Sequence, residues 1–233
     1  IMAKTTPSAS TPSHPLPLHS PLQEHHLRTL APALKQWSEL NRVPPVLLLC
    51  GPVGIGKKAM VHFLAQSLLC ERTSFQGKKE EPELGNLFGG PAEQIQNSDP
   101  TQIIPCRECL SCQRALKNQW LDFSIVEAEL ESLRALKSRL GFSSYESKFR
   151  IVLIPDADRM TVQAANSLLK LLEEPPAGWV FFLTATDSSL VLPTLTSRCQ
   201  KISLKPLPYD VIFSILGSLL NETQKSSPAQ GLP

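Results

Sequence analysis

Long apolar runs, net charge and an export signal are all scarce in this sequence. No apolar run approaches the roughly 18 residues that a membrane-spanning helix needs. The 233 residues carry a net charge of only +2. A charge this small gives no indication that the protein binds nucleic acid. Residues 1–20 are rich in Pro, Ser and Thr but have neither an apolar segment nor much positive charge, which predicts a disordered leader rather than a signal peptide. We therefore expect a soluble, cytoplasmic protein.

Along the rest of the chain, short apolar runs alternate with segments whose apolar residues have helical spacing. Apolar residues make up 42% of the sequence, which is enough for a proper core. Five runs are predicted strands: Val46–Cys50, Phe123–Val126, Ile151–Ile154, Val180–Thr184 and Gln200–Leu204. Strands that alternate with helices predict an α/β fold, with a parallel sheet flanked by helices on both sides. The first helix, from Leu22 to Leu40, is predicted to be interrupted or restarted at Pro32.

A glycine-rich loop follows the first predicted strand and precedes a predicted helix. Gly51, Gly54, Gly56 and Lys57 match the spacing of a phosphate-binding loop. Glycines let backbone N–H groups turn toward a phosphate, and the lysine reaches the outer phosphates. This pattern predicts nucleotide binding, and the alternative is a turn that only joins strand to helix.

Two parts of the expected magnesium site are absent beside this loop. The residue after the loop lysine is Lys58 instead of a serine or threonine, and a cation repels Mg²⁺ rather than binding it. Pro155 stands at the end of the third predicted strand, where the first metal-binding acid is expected. Because phosphoryl transfer depends on the metal, we expect no ATP hydrolysis here. Whether ATP or ADP binds stays open.

A cluster of cysteines predicts a structural zinc site. Six cysteines in a chain without an export signal favour metal binding over disulfides. A closed zinc site needs four ligands. The predicted ligands are Cys106, Cys109 and Cys112, with Cys70 as the fourth. The cluster would fold an insertion over residues 71–118, which has almost no apolar core of its own.

A third motif combines a helix end with a later arginine. Residues 166–176 read Asn-Ser-Leu-Leu-Lys-Leu-Leu-Glu-Glu-Pro-Pro, and two prolines stop the helix. Its predicted inward face consists of Ala165, Leu168, Leu169 and Leu172. A continuous apolar strand follows, and then Ser-Arg-Cys at residues 197–199.

Together, these motifs resemble those of the bacterial clamp-loader AAA+ proteins. Within that group the chain most resembles the delta-prime subunit of DNA polymerase III, because the substitutions at Lys58 and Pro155 suit a subunit with an impaired nucleotide site. The resemblance implies a five-stranded AAA+ P-loop NTPase-type sheet, a zinc-knuckle insertion and the start of a helical lid. It also implies that Arg198 enters the ATP site of a neighbouring subunit, as arginine fingers do.

The resemblance sets the expected domains. Residues 1–20 are the leader, 21–205 the AAA+ core with the zinc module at 71–118, and 206–233 the start of the lid and the tail. The expected partners are the gamma or tau ATPase subunits, delta, and, through the complex, the sliding clamp and primed DNA, without a membrane. The chain would belong to the DNA-directed DNA polymerase III holoenzyme, a nucleotidyltransferase complex.

Two alternatives stay open. The first is an active gamma- or tau-type clamp-loader ATPase that takes Mg²⁺ ligands from other places, such as Asp156. The second is a zinc-knuckle DNA-binding module, which predicts salt-dependent DNA affinity. The near-neutral charge argues against the second.

Overall fold

The computed structural model describes residues 21–40, 42–73, 75, 104–140, 147–214 and 216–217. Five strands form one parallel sheet in the order β2-β3-β4-β1-β5. The strands are β1 (Val46–Cys50), β2 (Phe123–Ile125), β3 (Arg150–Ile154), β4 (Trp179–Ala185) and β5 (Gln200–Ser203). The predicted leader and most of the predicted insertion and tail lie outside the described residues.

Six helices connect and cover the strands in this part of the chain. They are α1 (Pro21–Glu39), α2 (Lys57–Leu69), α3 (Leu110–Leu116), α4 (Leu130–Ser138), α5 (Val162–Glu173) and α6 (Pro193–Thr196). Residues 209–214 are also helical. None of these helices is both long enough and apolar enough to cross a membrane.

The core has two halves, one on each face of the sheet. Successive side chains of a strand point to opposite faces, so Leu47 and Leu49 of β1 pack with α1 and α2. Val46, Leu48 and Cys50 pack on the other face with α4, α5 and α6. Both faces are covered, which explains why the central strands β1, β3 and β4 are largely apolar runs.

The predicted fold class is confirmed: β1 has the predicted bounds, and the other four strands differ from the prediction by no more than one residue at either end. The predicted break at Pro32 is wrong, because α1 continues through this proline. In α5, Leu171 is buried with Leu168 and Leu172, whereas Leu169 is only partly buried. The buried face of α5 is therefore rotated toward Leu171 and away from Leu169, relative to the prediction.

Because all strands are parallel, the sheet has two chemically different edges. The carboxyl ends of β1, β3 and β4 meet at one edge, which carries the phosphate-binding loop. The opposite edge holds the amino ends of β1 and β5, and Arg198 lies just before β5. The register pairs Leu47 with Gln200 and Cys50 with Ser203.

Candidate functional site

The phosphate-binding loop joins the end of β1 to the first turn of α2. Gly54 and Gly56 have φ angles of 80° and 90°, a left-handed conformation that glycine adopts without steric cost. Nζ of Lys57 donates hydrogen bonds to the carbonyl oxygens of Gly51 at 2.6 Å and Pro52 at 3.0 Å. The loop lysine is therefore held against the backbone of its own loop.

The corner after β3 lies beside this loop and is built around two aspartates. Asp156 follows Pro155 with a φ of 52°, and its amide donates to Oγ1 of the buried Thr184 at 3.2 Å. Oδ2 of Asp158 accepts a hydrogen bond from the amide of Thr186 at 2.8 Å. Although burial alone would raise it, this hydrogen bond lowers the pKa of Asp158 below its ordinary value. The carboxylate of Asp158 is thus engaged by the protein itself.

A lysine and two aspartates, which carry opposite charges, lie near one another at this edge. Burial lowers the pKa of Lys57 from its ordinary value, although the charges of Asp156 and Asp158 act in the opposite direction. Lys58 is exposed on the first turn of α2, where a metal-binding hydroxyl would stand in a complete site. The edge can attract a phosphate, but it offers a poor set of ligands for Mg²⁺.

Helix α1 contacts the loop through a histidine that the sequence reasoning missed. Nε2 of the buried His26 lies 2.7 Å from the carbonyl oxygen of Ile55. Because a carbonyl oxygen can only accept, Nε2 carries the hydrogen and donates the hydrogen bond. Burial lowers the pKa of His26. The signal was available, because His26 continues the buried stripe of Leu30, Leu34 and Trp37 at helical spacing.

The four predicted metal ligands come together beside the end of α2. The sulfur atoms of Cys70, Cys106, Cys109 and Cys112 all lie within 4.8 Å of one another. In a tetrahedral zinc site with Zn–S bonds of about 2.3 Å, neighbouring sulfurs are about 3.8 Å apart. The cluster therefore has nearly the size and the ligand number that a metal ion requires.

Hydrogen bonds around the cluster also suit bound metal. The amide of Cys106 donates to Sγ of Cys70 at 3.4 Å, and the amide of Cys109 donates to Sγ of Cys106 at 3.3 Å. Such outer contacts orient thiolate ligands. The hydrogen bond between Cys112 and Cys70 lowers the pKa of Cys70 and raises that of Cys112, so the two sulfurs share one proton when no metal is bound. The donor set is all sulfur, which suits zinc among the common structural metals.

Arg198 lies at the edge of the sheet away from the phosphate-binding loop, and Glu173 holds it. Its Nε donates to Oε1 of Glu173 at 2.9 Å, and its Nη2 donates to the same oxygen. Nη1 donates to the carbonyl oxygen of Thr194 at 2.6 Å and to Oγ of Ser197 at 3.2 Å. The guanidinium lines an open groove of about 600 Å³ between the end of α5 and the start of β5. It lies at the surface, outside the core.

The predicted site residues therefore fall into three separate groups. Gly51, Gly54, Gly56 and Lys57 form the loop, the four cysteines form one cluster, and Arg198 lies at the far edge, apart from the other predicted site residues. The sequence did not predict that Glu173 would pair with Arg198, 25 residues later.

Comparison with known proteins identifies the family. Residues 90–208 match the family model described as DNA polymerase III, delta subunit. The match covers just over half of the chain and includes Arg198 and the residue 106–112 cysteines. The chain belongs to this family. It is thus a member of the clamp-loader family of DNA polymerase III, a replication assembly.

Curated relatives of this clamp-loader chain carry the names gamma and tau. The DNA polymerase III gamma subunit of Buchnera aphidicola subsp. Schizaphis graminum is 28% identical over 194 residues, which are 82% of this chain and 46% of that protein. The tau subunit of Salmonella typhimurium is 28% identical over 204 residues, 86% of this chain and 27% of that protein. The chain therefore spans less than half the length of either relative.

Solved structures share the fold of this clamp-loader family member. A variant of RuvB from Thermotoga maritima matches with a TM-score of 0.50 at 12% identity, over 87% of this chain and 51% of that one. At this identity the likeness concerns the fold alone. The sheet order and the loop after β1 are those of an AAA+ P-loop NTPase-type fold.

Proposed function

We propose that this chain is a delta-prime-type subunit of the DNA polymerase III clamp loader. In this role it is a stator that does not hydrolyse ATP itself and supplies Arg198 to the ATP site of an adjacent subunit. Its neighbours are a gamma or tau ATPase and the delta subunit. Through the complex it helps load the sliding clamp onto primed DNA in the cytoplasm.

The position of Arg198 is the observation that carries this proposal. Arg198 precedes Gln200, which pairs with Leu47 near the amino end of β1, whereas the phosphate-binding loop begins at Gly51. At about 3.3 Å per residue, the four-residue step from Leu47 to Gly51 spans about 13 Å. Arg198 therefore lies at the end of the strands opposite to the phosphate-binding loop of its own chain. We propose that Arg198 meets a phosphate that a neighbouring subunit presents.

The residues around the chain's own phosphate-binding loop also support a subunit that does not hydrolyse ATP. Lys58 occupies the position of the metal-binding hydroxyl, and Pro155 occupies that of the first acid. Asp158 accepts the amide of Thr186 and is already engaged. ATP hydrolysis needs a metal ion that bridges the outer phosphates. We propose that Gly51, Gly54, Gly56 and Lys57 at most hold a nucleotide, as a structural ligand.

The cysteine cluster supports a structural zinc ion within this subunit. Cys70, Cys106, Cys109 and Cys112 would each supply one thiolate. The metal would tie the end of α2 to α3 and so close the predicted module at residues 71–118. Bound zinc supplies folding energy in such small modules.

A gamma- or tau-type ATPase is the second candidate, because the relatives carry those names. In that case Asp156 would have to supply a metal ligand from the corner after β3. Its exposed side chain could do so without disturbing the core. Turnover of ATP by the isolated chain separates this candidate from the first.

The test compares the isolated protein with the reconstituted complex. We expect no Mg²⁺-dependent ATP hydrolysis by the purified chain. Adding it to the gamma or tau subunit and delta from the same organism should stimulate ATP hydrolysis, and the Arg198→Ala variant should assemble without stimulating it. Equal stimulation by both proteins would remove the proposed role of Arg198.

A further inference from the structure

We infer that Glu173 is the positioning residue for Arg198. This inference rests on the proposed arginine-finger function and names the side chain that makes the finger effective. Glu173 is the last residue of α5, and Arg198 follows α6. The two side chains are in contact, and both line the groove between the end of α5 and the start of β5. Glu173 would act only through Arg198 and would not touch the nucleotide.

The contacts hold one edge of the guanidinium firmly and hold its Nη1 nitrogen partly through a side chain that can move. Glu173 binds one edge, because Nε and Nη2 both donate to its Oε1. Nη1 is held by the carbonyl oxygen of Thr194, with the hydroxyl of Ser197 as a second acceptor. The exposed Ser197 side chain can change its rotamer, whereas a helix carbonyl cannot move alone. A different Ser197 rotamer would move Oγ away and free an N–H group of Nη1 to meet a phosphate.

Glu173 is well placed to hold this orientation because its own backbone is fixed. Leu168, Leu171 and Leu172 anchor the last turns of α5 in the core. The buried strand β4 follows shortly afterwards, from Trp179. A carboxylate on an anchored helix end can therefore orient a mobile arginine side chain.

Orientation matters more than stability for this pair. The side chains of Arg198 and Glu173 are 31% and 47% exposed, and ion pairs that are exposed in this way contribute little to folding. A finger that must meet a developing charge, in contrast, depends on being oriented before the reaction. Loss of Glu173 should therefore spare the fold and slow the neighbour's chemistry.

The test is a double-mutant cycle in the reconstituted clamp loader, with ATP as substrate. Glu173→Ala is expected to lower kcat between about 10- and 100-fold while KM for ATP and the assembly of the complex stay within twofold. Glu173→Gln, which keeps a hydrogen-bond acceptor, should retain more activity than Glu173→Ala. Glu174→Ala removes an exposed carboxylate from the same helix end and serves as the matched control. In an Arg198→Ala background, Glu173→Ala should have no further effect.

Three results would overturn the inference and leave the proposed function in place. An increase in kcat with Glu173→Ala would mean that the contact restrains the arginine instead of orienting it. An equal loss in the Arg198→Ala background would mean that Glu173 acts independently of the arginine. Full activity of Glu173→Ala, together with low activity of Arg198→Ala, would remove the positioning role alone. If Arg198→Ala itself were fully active, the proposed function would fail with it.

Discussion

The backbone amide of Thr186 donates to Oδ2 of Asp158 at 2.8 Å, across the corner where β3 and β4 end. This contact ties the segment after β3 to the end of β4, the strand that pairs with β1 and therefore ends beside the phosphate-binding loop. It also occupies one of the two acidic side chains that follow Pro155. One of the two carboxylates beside the phosphate-binding loop is therefore already engaged by a contact within the protein.

The first prediction concerns the dependence of nucleotide binding on Mg²⁺. In the unaltered protein, Mg²⁺ should not strengthen ATP binding, because Lys58 repels the metal. Lys58→Thr removes this charge and adds a hydroxyl ligand, so Mg²⁺ should then tighten ATP binding by about fivefold, the equivalent of roughly 1 kcal/mol. Isothermal titration calorimetry measures the ATP affinity of both proteins, in the presence of Mg²⁺ and in the presence of EDTA. Tighter binding with Mg²⁺ in the unaltered protein would contradict the prediction.

The second prediction concerns the metal. The purified protein should contain about one zinc ion per chain, and Cys112→Ser should lose it together with part of the thermal stability, because a closed site needs all four ligands. Elemental analysis and thermal unfolding measure these two quantities. Cys199→Ser is the matched control, since Cys199 lies outside the cluster. Zinc retained by Cys112→Ser, or lost from Cys199→Ser, would refute the assignment.

The same protein tests the DNA-binding alternative. Under the clamp-loader proposal, the isolated chain should bind DNA weakly and without the steep salt dependence that follows from many phosphate contacts. Fluorescence anisotropy at two salt concentrations measures this. Tight, salt-dependent binding that disappears in Cys112→Ser would favour a zinc-knuckle DNA-binding module.

The third prediction concerns pH and stability. Burial lowers the pKa of both His26 and His62 from their ordinary value of 6.5. The unfolded chain therefore takes up these protons at a higher pH than the folded chain does. Their contribution to stability is complete above about pH 6.5 and is lost as the pH falls toward the folded pKa values, by at most about 1.4 kcal/mol per pH unit for each histidine.

Urea unfolding at pH 7.5 and 5.5 checks this prediction. His26→Gln should show a smaller loss of unfolding free energy between the two pH values than the unaltered protein. Any effect of pH on the cysteine cluster is common to both proteins, so the difference between them isolates the histidine. Identical pH dependence in the two proteins would contradict the prediction.

The fourth prediction concerns the leucines of α5. Leu168 is fully buried between the helix and the sheet, so Leu168→Ala should cost about 2–5 kcal/mol of unfolding free energy. Leu169→Ala is the matched control, and its partly buried side chain should cost only about 1 kcal/mol. Chemical denaturation measures both. Equal losses would mean that the helix face is assigned wrongly.

The fold was predictable where the local sequence pattern of an element, such as an apolar run, agreed with how that element packs in the core. Val46–Cys50 is a continuous apolar run because both faces of β1 are covered. Pro32 misled the prediction because the local rule for proline ignores tertiary packing. The buried stripe that includes Leu30 and Leu34 holds α1 against the core and outweighs the cost of the proline.

The candidate site was predictable where ligand chemistry restricts spacing. Cys106, Cys109 and Cys112 stand three residues apart, and only Cys70 had to be chosen from elsewhere. The contacts of Arg198 with Glu173, of Thr186 with Asp158 and of His26 with Ile55 were not predictable. Each joins residues 25 to 29 positions apart, and each depends on how the helices and strands pack.

Two variants of this chain, measured side by side in the reconstituted clamp loader, test the central claim most directly. Lys57→Ala disables the chain's own phosphate-binding loop, and Arg198→Ala removes the guanidinium at the opposite edge. We predict that the first keeps most of the ATP hydrolysis of the complex. The second should slow hydrolysis at the neighbouring site on the order of 10³-fold, the scale of a missing arginine finger. Loss of hydrolysis with Lys57→Ala and full activity with Arg198→Ala would contradict the account.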